Sequence, residues 1–135
     1  METFPLKIVT PDGCIYDAPA EQLFCRTIEG DVGILARHCD YCTALGMGDA
    51  HVIMDGKARH AACMGGMLSV MEGKATLVAT TWEWADEIDR ARAEASRARA
   101  EKVISQSGTD ERELNLAEAR LRRALVRTSI ASPNP

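Results

Sequence analysis

The sequence predicts an α+β chain by composition, with an N-terminal all-β sandwich over residues 1–82 and a C-terminal antiparallel two-helix hairpin over residues 83–135. Three observations predict it. Short, partly alternating apolar runs separated by glycines fill the first part. At Trp82 the chain turns to alanine and charge, with no glycine until Gly108. Beyond that point apolar residues recur at helical spacing in two runs with a break between them.

The strands come first. Phe4 to Val9 alternates in part and stops at the turn signal Thr10-Pro11-Asp12-Gly13. Cys14 to Asp17 is short and leads to Ala18-Pro19. In Glu21 to Thr27, extended chain puts Leu23, Cys25 and Thr27 on one face. Asp49 to Met54 and Lys57 to Cys63 flank Asp55-Gly56, a two-residue hairpin signal, and Met67 to Met71 and Lys74 to Ala79 flank Glu72-Gly73 in the same way. Gly65-Gly66 marks a tight bend or a close backbone approach.

The helices follow. Ile88, Ala91, Ala95 and Ala98 share a stripe, narrow and alanine-rich, so the seam it makes is expected to be weak. Ser107-Gly108-Thr109-Asp110 breaks the pattern, with Thr109 or Asp110 as cap and Glu113 in an acidic first turn. Leu114, Ala117, Leu121 and Leu125 form the second stripe. Ser132 to Pro135 reads as a loose tail. Two such helices must lean on the sandwich, on each other or on another protein, and a marginal packing surface suits a switchable element.

Composition narrows the function. Apolar residues make up 46% and charged residues 27%, ordinary for a folded protein. The net charge is −4, with six Lys/Arg against ten Asp/Glu in residues 1–80 and ten of each in residues 81–135. Neither part is basic enough for nucleic acid to be a main partner. The longest uncharged stretch, His60 to Met71, has twelve residues, against the ~20 of a membrane-spanning helix. The first residues lack the basic and apolar regions of a secretion signal, so a cytoplasmic location and five reduced cysteines are expected. His38-Cys39-x-x-Cys42 supplies too few ligands for a zinc site, and Cys25, Cys63, His51 and His60 offer no second knuckle, so no metal is expected. There is no Gly-x-Ser-x-Gly, His-Glu-x-x-His or Walker motif. Glu29-Gly30-Asp31-Val32-Gly33 lacks the Lys-Ser/Thr of a phosphate loop, and its acids repel phosphate. The chain is expected to catalyse nothing alone.

In this order the motifs resemble the epsilon subunits of F-type ATP synthases, small subunits of the rotating central stalk. The resemblance covers nearly the whole chain. It rests on Val9-Thr10-Pro11-Asp12-Gly13 with Tyr16-Asp17, and on Glu29 to Leu35 followed by His38 and Thr43-Ala44-Leu45. It continues through Gly65-Gly66 and Ala75 to Ala79, and ends with Glu87-Ile88-Asp89-Arg90-Ala91-Arg92-Ala93. The family has the same order of sandwich and hairpin. It usually carries Pro-Gly-His-Ala-Pro followed by a pair of leucines, where this chain has Ala36-Arg37-His38-Cys39-Asp40 and Tyr41-Cys42.

The resemblance implies a non-catalytic subunit on the cytoplasmic face of the cell membrane, peripheral and not itself inserted. The partners implied are the gamma subunit of the stalk, the membrane ring and, when the hairpin extends, the catalytic head. Glu29, Asp31, His38 and Thr43 become candidate partner contacts, with the acids facing the ring. Extension of the hairpin inhibits ATP hydrolysis, and Arg97, Arg99, Arg120 and Arg122 meet acidic surfaces of the head. No cofactor is required, but regulatory ATP is implied. Ile88-Asp89-x-x-Arg92-Ala93 matches the pattern that binds ATP in some bacterial members. It brings in Glu83, Ile88, Asp89, Arg92, Arg99, Arg123 and Arg127 as candidates, with arginines on the phosphates. Read from the residues alone, Asp89, Arg92, Ser96 and Arg99 form one polar helix face and Arg123 and Arg127 a basic patch, a pattern that ordinary solvated ion pairs explain more often than a ligand does. The alternatives are a free-standing nucleotide-sensing module, and a thiol or metal enzyme using Cys39 and Cys42.

Overall fold

The computed structural model describes residues 2–106 and 108–131. It has two compact units, Met1–Trp84 and Ala85–Pro135.

The first unit is a β-sandwich of eight strands: β1 (Phe4–Thr10), β2 (Gly13–Ala20), β3 (Gln22–Thr27), β4 (Gly30–Leu35), β5 (Tyr41–Met54), β6 (Lys57–Met71), β7 (Lys74–Ala79) and β8 (Trp82–Trp84). The lateral order is β2-β1-β7-β6-β5-β3-β4, with β8 paired to β6. Only β1 and β7 run parallel among the paired strands described. Alternation decides which side chains enter. Phe4, Leu6 and Ile8 of β1, Leu23 and Cys25 of β3, and Leu68 and Val70 of β6 are buried, while their neighbours Pro5, Lys7 and Met71 are exposed. Trp82 and Trp84 close the core edge to face, 5.4 Å apart.

Asp55-Gly56 and Glu72-Gly73 are two-residue turns with positive φ at both positions, 51° and 75°, then 51° and 78°. This matches the twist of the strands that they join. Gly65-Gly66 does not divide two strands, as the spacing suggests. It lies inside the 15-residue β6, where the strand leaves β8 and takes up β7. The close approach is real: at φ 131°, a Cβ on Gly66 would collide with the carbonyl of Val78. β5 likewise begins at Tyr41 rather than Asp49, and runs 14 residues.

The helical pattern expected to start at the tryptophans starts later. Trp82–Trp84 is a strand, because β6 offers Ala61, Ala62 and Cys63 as partners. A 3₁₀ turn, Ala85–Glu87, follows. Then come α1 (Arg90–Ser105) and α2 (Glu111–Ile130), packed on each other. Asp89 caps α1, its carboxylate accepting the Arg92 amide at 3.0 Å, and Asp110 caps α2 through the Arg112 amide at 3.0 Å. Thr109 acts on the other helix instead. Its hydroxyl lies 3.3 Å from the Val103 carbonyl and 3.1 Å from that of Gln106, closing the end of α1. Gly108 turns the chain at φ 81°.

The seam of this second unit differs from the expected one. Ala91, Ala95 and Ala98 are exposed, and Ile88 precedes the helix. The buried stripe is Ala93 and Ala100, flanked by half-buried Ser96 and Val103. Alanines lie on more than one face of α1, and the stripe that ends on Val103 is the one α2 covers. On α2, Leu114, Ala117 and Leu121 face inward as expected, but Ala124 replaces Leu125, which is 41% exposed. The expected tail, residues 132–135, lies outside the described residues.

Candidate functional site

Two regions gather the candidate residues. The first is the β3–β4 turn. Thr27 is buried at 5% exposure and builds it: its hydroxyl donates to the Gly30 carbonyl at 2.7 Å and accepts the Glu29 amide at 3.1 Å. Ile28 and Glu29 are thereby held at the tip, with Ile28 70% exposed. Asp31 is not in the turn. It is on β4, its carboxylate 3.4 Å from Arg26 Nε across the β3–β4 pair. The stem of Arg26 lies over Gly46 and Gly48, where a side chain would crowd it. The ion pair is exposed on both sides, so its contribution to stability is about 0–1 kcal/mol. The tip thus offers one carboxylate and one unusually exposed apolar side chain. Ile28 and Thr27 were legible only through the Thr-x-x-Gly spacing.

Thr43 lies on β5 opposite Leu68. His38 is in the loop after β4, where its ring meets Tyr41 at 5.8 Å and its Nδ1 lies 2.7 Å from the Cys39 carbonyl. That loop is anchored at both sides. Arg37, at φ 65°, reaches Glu2 at 3.0 Å, and Asp40 accepts the Glu72 amide of the β6–β7 turn at 2.9 Å. Cys14, Cys39 and Cys42 are exposed free thiols, while Cys25 and Cys63 are buried ones. Burial, with Cys63 and then Asp31 adding to it, pushes the Cys25 thiol up to about 12, and burial pushes Cys63 up to about 11 against a hydrogen bond to Gly65. Both are therefore neutral, inert thiols at pH 7.

The second region is the hairpin. Of the residues expected to hold nucleotide, Glu83 is on β8 in the first unit and the others belong to the second. Asp89 is the cap of α1, so one of its oxygens is already engaged. Arg92 is exposed one turn further on, and Arg123 and Arg127 are half-buried one turn apart on α2. Ala93 and Ala100 are the buried residues of α1, and Ala117 and Ala124 those of α2; Ser96, Arg99, Ala100 and Val103 share one groove with Glu113, Leu116, Ala117 and Arg120. Followed in opposite directions along the two helices from that groove, Asp89 and Arg92 lie toward the end of α2 that carries Arg123 and Arg127. Arg99 stands seven residues further along α1, or ~10 Å of helix rise. The groove that it lines has a volume of about 530 Å³. The remaining nucleotide candidates do not line that groove. Arg97, expected to meet a partner, pairs with Glu101 at 3.0 Å within α1.

The comparisons with known proteins agree with this two-part organisation. The β-sandwich domain of ATP synthase delta/epsilon chains matches residues 3–85, and the long alpha-helix domain of the same chains matches residues 86–132. An ATP synthase epsilon chain of Ruminococcus albus is 40% identical over 133 residues, covering 98% of both chains. One from Caldicellulosiruptor bescii is 37% identical, covering 99% of this chain and 97% of its own. Among solved structures, a chain of the Euglena gracilis mitochondrial ATP synthase has the same fold, with a TM-score of 0.83 over 94% of this chain and 80% of its own at 22% identity. A chain of the Tetrahymena thermophila central stalk and c-ring matches with a TM-score of 0.62 at 13% identity, covering 97% of this chain and 98% of its own. With both domains matched in order and relatives aligned end to end, the chain belongs to the ATP synthase delta/epsilon family, as a member of the epsilon type.

Proposed function

We propose that the chain is a non-catalytic subunit of the central stalk of an F-type ATP synthase, bound to the gamma subunit and to the membrane ring. The observation that carries this reading is the end-to-end match, sandwich and hairpin together, to chains that bear the epsilon name. The sandwich couples the stalk to the ring through the Thr27-braced tip, with Glu29 as an ionic and Ile28 as an apolar contact. His38 and Thr43 serve as further partner contacts. The subunit works at the cytoplasmic face of the membrane as a peripheral component. Among the described residues no helix is long and apolar enough to cross a membrane.

The hairpin regulates hydrolysis. It exchanges between a compact form and an extended form that enters the catalytic head, and ATP is an optional regulatory ligand of the compact form. The alanine seam supports this, since it is the kind of packing that opens at low cost. The Ile88-Asp89-x-x-Arg92-Ala93 pattern, with Arg123 and Arg127 one turn apart on α2, supports a phosphate-binding role, with Arg99 and Glu83 as outlying candidates.

The test is reconstitution of the motor with the full chain and with a chain ending at Trp84. The truncated chain is expected to restore ATP-driven ion pumping and to lose inhibition of hydrolysis. Failure of either chain to assemble with the gamma subunit would remove the stalk reading.

A further inference from the structure

The Asp55-Gly56 turn sets β5 against β6 so that His51 faces His60 directly across the strand pair. Asp49 is two residues before His51, and therefore on the same face. One donor atom from each of Asp49, His51 and His60 lies within 4.8 Å of the other two. His60 Nδ1 is 3.2 Å and 3.3 Å from the two Asp49 oxygens, and the two imidazole rings are 4.7 Å apart. Phe24 of β3 stacks on His51 at 4.5 Å, which limits where that ring can go. Beside the cluster lies a cleft of about 300 Å³ lined by Phe24, Cys25, Arg26, Asp31, Asp49 and His51, with room for water.

We propose that Asp49, His51 and His60 bind one divalent transition-metal ion, with zinc as the class best suited to them. Two imidazoles and one carboxylate favour zinc, copper, nickel or cobalt over magnesium or calcium, which prefer all-oxygen sets. Metal–ligand bonds of about 2.0–2.2 Å bring tetrahedral donors to roughly 3.4 Å apart. The donors here, within 4.8 Å of one another, need to close by up to about 1.4 Å, which the half-exposed side chains of Asp49 and His60 achieve by rotation toward His51. The ion takes the place of the hydrogen bond between His60 and Asp49. Three protein ligands leave a fourth position for water, so the site is open rather than structural. Binding ties β5 to β6 and stabilises the sandwich by mass action. The site does not depend on any role of the chain in a motor.

The experiment is a zinc titration of the full chain against a chromophoric chelator, paired with cobalt(II) absorption spectra. One ion per chain is expected, with a cobalt spectrum free of the intense near-ultraviolet thiolate band. His51→Gln and His60→Gln should each weaken binding by at least about tenfold, the lower bound seen for losing even an outer partner of a ligand. Cys39→Ser with Cys42→Ser should leave binding unchanged. Far-ultraviolet circular dichroism checks the fold, and Asp49→Asn at the exposed end of the cluster substitutes for a histidine variant that misfolds. Binding that survives the histidine changes, a thiolate band lost with the cysteines, or no bound ion at sub-millimolar free zinc would each overturn the site.

Discussion

The two units are sealed by different materials. In the sandwich, Leu6, Ile8, Leu23, Ile34, Leu68 and Leu77 are almost wholly buried, and two tryptophans close the edge. Burying each such side chain contributes about 1.5–3 kcal/mol. In the hairpin the buried residues between the helices are Ala93, Ala100, Ala117 and Ala124, each offering one methyl group. The larger side chains of α2 partly face away, with Leu116 48% and Leu125 41% exposed. One sequence has thus built a unit sealed by large apolar side chains and another whose fully buried seam residues are alanines, beside half-buried Val103, Leu114 and Leu121. Per buried side chain, the seam between the helices removes less apolar area from water than the sandwich core does.

The largest effect should come from breaking the sandwich where it has no slack. Gly66→Ala places a methyl against the Val78 carbonyl at a φ that L-residues avoid. A loss above about 4 kcal/mol is expected, seen as insoluble protein or a collapsed thermal transition. A shift of only a few degrees would mean that the β6–β7 contact yields, and that the sandwich is softer than its packing indicates.

Next comes ligand control of the hairpin. Arg92→Ala removes a guanidinium but keeps the backbone amide that Asp89 caps, so the helix start survives. If the proposed nucleotide role holds, ATP affinity falls by about 1.5–3 kcal/mol, about ten- to a hundredfold. The assembled motor is then more strongly inhibited at a given ATP level. Calorimetric titration of both chains reads the first effect and hydrolysis assays the second. No wild-type binding at millimolar ATP would leave Asp89 as a helix cap alone.

A smaller change sharpens the seam itself. Ala117→Gly should cost about 1 kcal/mol of helix stability. Helical ellipticity should melt earlier, while tryptophan emission from Trp82 and Trp84 reports an unmoved sandwich. Coincident shifts in both signals would show that the two units melt together.

The smallest effect on stability is at the tip. Glu29→Lys with Asp31→Lys breaks only an exposed ion pair, so the isolated fold should change by no more than about 1 kcal/mol. Coupling of hydrolysis to pumping should weaken, and added salt should blunt the difference, since charges are screened over ~10 Å at 0.1 M. Unchanged coupling would remove both acids from the interface.

The sequence made the fold legible wherever local chemistry is decisive. Asp55-Gly56 and Glu72-Gly73 announce turns because the backbone there needs positive φ, and Asp110 announces a helix start because its carboxylate caps amides. The face of α1 was not legible: several alanine stripes look alike, and α2 chooses among them. Trp82–Trp84 was not legible as a strand because three residues carry too little pattern, and only the β6 edge makes them one. Glu29 to Gly33 carries no strand alternation that the sequence reading picked out, and it is the pairing with β3 that makes Gly30–Leu35 a strand and sets Asp31 opposite Arg26. The nucleotide candidates rest on a resemblance, and of them only Arg99 lines the groove between the helices. The meeting of His51 with His60 follows from the two-residue turn once that turn is granted, although nine positions separate them in the chain.

β6 keeps its peptide bonds unbroken from the strand it shares with β8 to the one it shares with β7, and it lies against β5 for nearly its full length. Antiparallel hydrogen bonds stand perpendicular to the strands. A pull along β6 therefore loads the whole β5–β6 row in shear at once, instead of unzipping it bond by bond. In mechanical terms the sandwich carries a tendon through its middle, and force applied at one end travels by covalent bonds past the Gly65-Gly66 crease. A body loaded along its strands keeps its shape by such a path, and the crease redirects it without cutting it.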